Sequence, residues 1–220
     1  MNSHAEEFAR RRDAMVREQI EARGVRDARV LQAMRELPRE RFVRPGWEAE
    51  AYDDNPLPIA AGQTISQPYI VAFMAEALQL RGDERVLEIG TGSGYAAAVL
   101  ARLAREVHSV ERIAELAEGA ARALAAQGAT NVQVHCADGT LGWPDAAPYD
   151  AIVVTAAGPD VPAALIEQLA PAGRLVMPVG GHDGTQQLVR LTRRGAHETH
   201  RETLMGVRFV PLTGAQGWPG

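Results

Sequence analysis

The spacing of apolar residues changes along the chain, from helical repeats near the N-terminus to short runs separated by helices. Residues 3–22 place apolar side chains on one face of a predicted helix. A second helical repeat starts after Asp27, a predicted N-cap, and stops at Pro38. Prolines and glycines then interrupt residues 39–67, and irregular segments of this length are usually functional or disordered. Because the segment contains several apolar residues, we expect it to be ordered and followed by a helix over 68–80.

After residue 80 the pattern alternates between strands and helices. Predicted strands cover 86–89, 107–111, 131–136, 149–155 and 174–180, with further candidates at 188–191 and 208–212. Such alternation is typical of an α/β fold, here a doubly wound, mostly parallel seven-stranded sheet that binds ligands at the carboxyl edge of its strands. We expect a single domain over 1–220, with an N-terminal helical extension and loop at 1–80 and the α/β core at 81–220.

Three glycines follow the first strand of the core at every second position: Gly90, Gly92 and Gly94. Glycines here let a ligand approach the backbone beside a helix N-terminus. A dinucleotide fingerprint would need its third glycine where Tyr95 stands. Glu88 would repel a pyrophosphate but suits a ligand that carries an ammonium and a sulfonium. The stretch resembles motif I of class I methyltransferases, a Rossmann-like group that uses S-adenosylmethionine (SAM); the alternative is an ordinary glycine turn in another doubly wound protein.

The ends of the next two strands carry candidate ligands for a nucleoside. Glu111 lies 21 residues beyond Gly90, where a doubly wound fold presents a carboxylate to ribose hydroxyls. Asp138 and Gly139 end the third strand, where the following loop would meet an adenine. The single cysteine, Cys136, is expected to be buried and not to act as a nucleophile.

Composition limits the partners and the compartment. The net charge of −5 indicates no general affinity for nucleic acid or for an anionic membrane. One cysteine cannot form an internal disulfide, and neither a signal peptide nor an apolar run of membrane-spanning length is present, so we expect a cytoplasmic protein. His197 and His200 lack the spacing of a zinc motif and a third ligand, so no metal is predicted.

The sequence shows no side chain marked out as a general base. Residues 155–159 carry no Asp/Asn-Pro-Pro-Tyr motif for a base amino group, and Cys136 is not preceded by the proline of a cytosine methyltransferase. This favours an acceptor that needs no deprotonation, such as a carboxylate, whose pKa of about 4 leaves it ionised at neutral pH. Positioning for in-line displacement can then contribute on the order of 7–11 kcal/mol.

Seven stretches together resemble the protein-L-isoaspartate O-methyltransferases. Residues 62–68, Gly-Gln-Thr-Ile-Ser-Gln-Pro, are similar to the family's pre-motif I signature. Companion stretches occur in the family's order at 38–43, 87–95, 147–152, 169–175, 178–180 and 207–212.

The resemblance implies methyl transfer from SAM to the free α-carboxylate of an L-isoaspartyl residue in a damaged protein or peptide, which leaves S-adenosylhomocysteine (SAH). The labile ester closes to a succinimide that reopens partly to aspartate, which gives repair. Damaged proteins and peptides are then the partners, without nucleic acid or membrane, and a monomer is expected. Two alternatives remain: a class I methyltransferase acting on RNA or a small molecule, and a non-enzymatic SAM-binding module.

The resemblance also implies roles for individual residues. Ser66 is the active-site serine that orients the acceptor carboxylate, with Thr64 beside it, although a serine two residues before a helical proline is also a natural N-cap. The implied cofactor contacts are Glu88, Gly90, Thr91, Gly92, Ser93, Gly94, Glu111, Asp138 and Gly139. The implied substrate contacts, by main-chain hydrogen bonds, are Leu57, Pro58, Ile59, Ile65, Val207 and Arg208. The tail after Leu212 is shorter than in some relatives, so its contact with the cofactor is left open.

Overall fold

The computed structural model describes residues 3–181, 185–195 and 198–219. Its α-helices are α1 Ser3–Ala14, α2 Ala28–Glu36, α3 Pro68–Ala77, α4 Tyr95–Ala101, α5 Ala114–Ala126 and α6 Ala163–Glu167. Its strands are β1 Leu57–Pro58, β2 Thr64–Ile65, β3 Arg85–Ile89, β4 Glu106–Glu111, β5 Val132–Cys136, β6 Tyr149–Val154, β7 Leu169–Gly180, β8 Gln186–Arg193 and β9 Thr199–Val207. Across these residues, no helix is both long enough and apolar enough to cross a membrane.

Seven of these strands form one sheet, in the order β5-β4-β3-β6-β7-β8-β9 within the described ranges. The five neighbouring strands β5, β4, β3, β6 and β7 are parallel to one another. Strands β8 and β9 add an antiparallel edge. Apolar side chains are buried on both faces of the sheet. The predicted doubly wound, mostly parallel sheet is confirmed, and it brings the ends of β3, β4 and β6 to one edge.

The last strand lies earlier in the chain than predicted. The apolar stretch 208–212 is not a strand, and contributes only an isolated bridge between Pro211 and Ala157. The strand is β9, and most of its side chains are exposed or half-buried. An edge strand with a solvated face needs few apolar residues, so the search for apolar runs missed it.

The N-terminal extension largely follows its predicted pattern. Helix α1 continues through a π-helical segment, Met15–Ile20, and a 3₁₀ turn. The Asp27 carboxylate caps α2 by accepting from the backbone N–H of Arg29 at 2.8 Å and of Val30 at 3.3 Å, so this predicted N-cap is confirmed. Helix α2 contacts α3 and α4 and so packs against the core.

A buried arginine connects the extension to the glycine turn. Arg39 is fully buried; its Nε donates to the carbonyl of Ala51 at 2.7 Å, and its guanidinium lies 4.8 Å from the ring centroid of Tyr95. Phe42 contacts the same ring edge-on. Burial lowers the pKa of Arg39 to about 10, so the group remains charged at neutral pH. Because Tyr95 directly follows Gly94, these contacts fix the extension against the start of α4.

The prediction that Cys136 is buried is wrong. Its strand, β5, lies at the edge of the sheet, and the residue is exposed. An edge strand has a neighbour on one side only, so fewer of its side chains are covered than in a central strand.

Candidate active site

Two cavities meet at the carboxyl edge of the sheet. The first, here called the glycine-turn cavity, has a volume of about 350 Å³ and is lined by Gly90, Glu111 and Gly139 among others. The second, the loop cavity, has a volume of about 900 Å³ and is lined by Ser66, Val207 and Arg208 among others. Both volumes lie in the range typical of small-molecule sites.

Position 90 requires a glycine for two reasons. Its φ of +93° is one that other residues rarely adopt, and a Cβ there would lie 2.3 Å from Thr155 Oγ1. Gly94 also has a positive φ, and a Cβ there would lie 3.3 Å from Ala120 on α5. The two glycines therefore let the turn between β3 and α4 lie close to Thr155 and to α5. Gly90 also lines the glycine-turn cavity.

Glu111 presents a fixed carboxylate to the glycine-turn cavity. Its two oxygens accept from the backbone N–H groups of Gly92 and Ile113, each at 3.0 Å. These bonds hold the side chain in one orientation and leave further lone pairs on both oxygens. A carboxylate that keeps acceptor capacity suits a pair of hydroxyl donors.

Glu88 lies beneath the turn and lines neither cavity. It is fully buried; the Ser109 hydroxyl donates to its Oε2, and its Oε1 has no hydrogen-bond partner in the described ranges. The hydroxyl of Thr91 lies 2.6 Å from that of Ser109 and extends this chain of polar groups. Burial raises the pKa of Glu88 to about 8; the hydrogen bond from Ser109 opposes this shift and the charge of Glu111 adds to it.

This raised pKa predicts a pH-dependent stability difference for Glu88→Gln. A carboxyl whose folded pKa exceeds its ordinary value of 4.5 contributes most to stability below pH 4.5, and the contribution is lost as the pH rises towards 8. We therefore expect the free energy of unfolding of the variant to rise relative to that of the unmodified protein between pH 5 and pH 9, by on the order of a few kcal/mol. Thermal unfolding across this range measures the difference. Exposed Glu118→Gln is the control, and parallel pH curves for Glu88→Gln and the unmodified protein would contradict the prediction.

Asp138 holds the C-terminal segment. Its carboxylate accepts from the backbone N–H and hydroxyl of Thr140, at 2.9 and 2.7 Å, and from the N–H of Ala215 at 2.8 Å. Partial burial raises the pKa of Asp138, but these hydrogen bonds outweigh it and the net pKa is lowered. The segment that Asp138 holds lines the glycine-turn cavity through Leu212 and Thr213. The sequence left open whether this tail reaches the cofactor, and the structure shows that it forms part of the cavity wall.

Ser66 is not the N-cap of α3. Gln67 occupies that position, without a side-chain cap, and Pro68 is the first helical residue. Ser66 lines the loop cavity, and its hydroxyl has no hydrogen-bond partner in the described part of the chain. Thr64, which is exposed, lines both cavities and has an equally unpaired hydroxyl. Both hydroxyls are therefore available to a ligand.

The remaining predicted residues fall into three groups. Thr91 and Ser93 line a narrow space of about 30 Å³ together with Thr64, Ile65 and Ser66. Leu57 and Ile59 are buried in the core, while Pro58 pairs with Thr64 in the short hairpin of β1 and β2. Gly92 and Gly94, like Asp138, line neither of the two larger cavities. His200 is exposed on β9, His197 lies outside the described residues, and no cluster of potential metal ligands occurs among the residues that are described.

Several residues that line the cavities were not identified from the sequence, and Thr155 and Arg23 are two of them. Thr155, directly after β6, lines both cavities. Arg23 lies at the loop cavity, where its guanidinium stands 3.5 Å from the ring centroid of Tyr69 and donates to Asp54 at 2.8 Å. The parallel order of strands could have indicated Thr155, since β6 adjoins β3 and both end at the glycine turn.

Comparison with known proteins gives a consistent set of relatives. The family profile described as Protein-L-isoaspartate(D-aspartate) O-methyltransferase (PCMT) matches residues 10–217. Protein-L-isoaspartate O-methyltransferase 1 of Rhodopseudomonas palustris is 61% identical over 218 residues, 99% of this chain and 89% of that protein. Protein-L-isoaspartate O-methyltransferase 2 of Pelobacter propionicus is 59% identical over 208 residues, 94% of this chain and 92% of that protein.

A solved structure supports the same assignment. A protein-L-isoaspartate O-methyltransferase superposes with a TM-score of 0.85 at 30% identity, over 94% of this chain and 67% of that one. A Plasmodium falciparum protein, solved in complex with S-adenosyl-L-homocysteine and assigned to the same enzyme class, superposes with a TM-score of 0.78 at 23% identity and supports the fold alone. The profile match, the identities and the coverage agree: the chain belongs to the protein-L-isoaspartate(D-aspartate) O-methyltransferase family.

Proposed function

We propose that this protein transfers a methyl group from SAM to the free α-carboxylate of L-isoaspartyl residues in damaged proteins and peptides, and so initiates their repair to aspartyl. The observation that carries the proposal is the way the two cavities meet. They share Thr64, Thr155 and Val210, so a donor in one and an acceptor in the other would touch at these three residues.

The glycine-turn cavity fits the methyl donor. The fixed carboxylate of Glu111 suits the two ribose hydroxyls, and half-buried Gly90, which lines the cavity and has no side chain, allows close approach of the donor's chain. Gly139 and the C-terminal residues Leu212 and Thr213 close the far side, where the base would lie. When bound, SAM supplies an electrophilic methyl on a positively charged sulfur, and its transfer to a carboxylate leaves SAH and a methyl ester.

The loop cavity fits an anionic acceptor that needs no base. Two guanidinium groups, those of Arg23 and Arg208, line it, and none of its described lining residues is Asp, Glu, His, Cys or Lys. The unpaired hydroxyls of Thr64 and Ser66 can donate to carboxylate oxygens and orient one of them. A carboxylate is already ionised at neutral pH, so orientation replaces proton removal as the task of the site.

The decisive experiment compares two peptides that differ only in one linkage. We expect a peptide with a single isoaspartyl residue to acquire base-labile methyl groups from labelled SAM, whereas its twin with a normal aspartyl residue does not. The difference arises because only the isoaspartyl linkage presents a free α-carboxylate next to the damaged bond. Release of volatile label after mild base treatment measures the ester. Equal labelling of both peptides would refute the substrate assignment.

Several broader features belong to the same proposal. We place residues 1–220 in a single methyltransferase domain, in which 1–80 supply the helical extension and the substrate loop and 81–220 supply the donor site. We also propose a cytoplasmic monomer that needs no metal and does not bind nucleic acid or membrane. The net charge of −5 supports the last two exclusions.

A further inference from the structure

Thr155 occupies the junction between the two cavities. It directly follows β6, and its backbone N–H donates to the carbonyl of Ile89 at 2.9 Å, so its position is tied to the end of β3. Among the described residues, three line both large cavities: Thr64, Thr155 and Val210. These three residues therefore border the place where a methyl group would pass from one cavity to the other.

The hydroxyl of Thr155 differs from the nearby hydroxyls of Thr64 and Ser66 in its hydrogen bonding. Its proton is directed to the carbonyl oxygen of Gly90 at 2.7 Å, with the carbonyl of Ile89 at 3.1 Å as a second acceptor. A hydroxyl whose proton is engaged in this way keeps only acceptor lone pairs. It therefore cannot donate to a carboxylate. Thr64 and Ser66, whose hydroxyls are unpaired, can donate.

An acceptor oxygen at this point suits the methyl group and not the carboxylate. The hydrogens of a methyl bound to a positively charged sulfur carry partial positive charge, and C–H groups of this kind form weak hydrogen bonds to oxygen. A carboxylate oxygen would be repelled by the same lone pairs. The junction thus has donors for the anion on the loop side and an acceptor on the side of the glycine turn.

We propose that Thr155 is a methyl-orienting residue, whose hydroxyl oxygen contacts the transferring methyl and holds it towards the acceptor. The inference rests on the proposed function for the identity of the donor. It goes beyond that function by assigning to Thr155 a contact with the one group that distinguishes SAM from SAH.

The test uses binding of the two ligands to the full-length protein, without any methyl acceptor. We expect Thr155→Val, which keeps the shape but removes the oxygen, to lower the ratio of SAM affinity to SAH affinity about two- to fivefold. Thr155→Ser keeps the oxygen and is the matched control, so its ratio should equal that of the unmodified protein. Isothermal titration calorimetry with each ligand gives both affinities.

A purely structural role predicts a different result. If Thr155 only supports the turn through Gly90, the valine variant should lose affinity for SAM and SAH by the same factor, and this outcome would overturn the proposal. A ratio that falls as far in Thr155→Ser as in Thr155→Val would overturn it too. Should Thr155→Val not fold, as judged by thermal unfolding, Thr155→Cys replaces it, because sulfur is a weak acceptor. Failure of the isoaspartyl assay would leave these two affinities unaffected, so the two proposals fail separately.

Discussion

Replacing Ser66 with alanine is expected to lower turnover on an isoaspartyl peptide by about 10- to 100-fold, the effect of losing one hydrogen bond to a charged group. The hydroxyl lines the loop cavity and has no hydrogen-bond partner in the described ranges, so under the proposed function its loss removes a hydrogen bond to the substrate and none to the described residues. Because Gln67 and not Ser66 is the N-cap of α3, the melting temperature should stay within experimental error. The affinity for SAM should also stay unchanged, since Ser66 does not line the glycine-turn cavity.

Turnover, donor affinity and thermal unfolding together separate the two roles suggested for Ser66. A serine that only caps a helix would cost about 1 kcal/mol of stability when replaced and would leave the activity of the folded enzyme intact. Full activity in the alanine variant would therefore remove Ser66 from the catalytic site. A fall in donor affinity would instead place it nearer the glycine turn than the structure does.

Replacing Glu111 with alanine is expected to weaken binding of SAM by more than tenfold, which corresponds to about 1.4 kcal/mol. The carboxylate is held by the backbone N–H groups of Gly92 and Ile113, so the substitution removes a fixed acceptor pair and also releases the turn. SAH should lose the same factor, because the ribose is common to both ligands. This equal loss contrasts with the selective loss expected at Thr155.

Calorimetric titration of both ligands checks the prediction. Glu115→Ala is the matched control, since Glu115 is an exposed carboxylate four residues along the chain. Unchanged affinity in Glu111→Ala would refute its assignment to the ribose. A loss in Glu115→Ala of similar size would mean that net charge, and not a specific contact, governs donor binding.

The residues of the proposed donor side could largely be predicted from the sequence because their signals are local. The apolar run before Gly90 and the regular spacing of the glycines fix a strand, a turn and a helix within a few residues. Glu111 needed only the additional rule that parallel neighbours end at the same edge, and the register of β3 with β4 places it there. Asp138 also follows its strand as expected, yet its carboxylate is used within the chain by Thr140 and Ala215. A sequence pattern locates a side chain but does not show which groups compete for it.

The proposed acceptor side was harder to predict because it depends on contacts between distant parts of the chain. A threonine after an apolar strand, such as Thr155, is ordinary turn chemistry until the sheet order places it beside Gly90. The apolar residues Leu57 and Ile59 were expected to contact the substrate, but their side chains are buried in the core, where they hold the loop in place. For Val207 and Arg208 the prediction agrees with their place on the loop cavity, although the neighbouring strand was expected at a different position. Long-range packing, and not local propensity, decided each of these cases.

The attachment of the C-terminal segment has a consequence for shortened forms of the protein. Leu212 and Thr213 line the glycine-turn cavity, and the segment is held by hydrogen bonds from Ala215 to Asp138 and from Leu212 to Ala157. Removal of residues 214–219 would break the bond to Asp138 and would leave the strands of the parallel sheet untouched. Such a shortened chain is expected to keep its central sheet while one wall of the cavity loses an anchor.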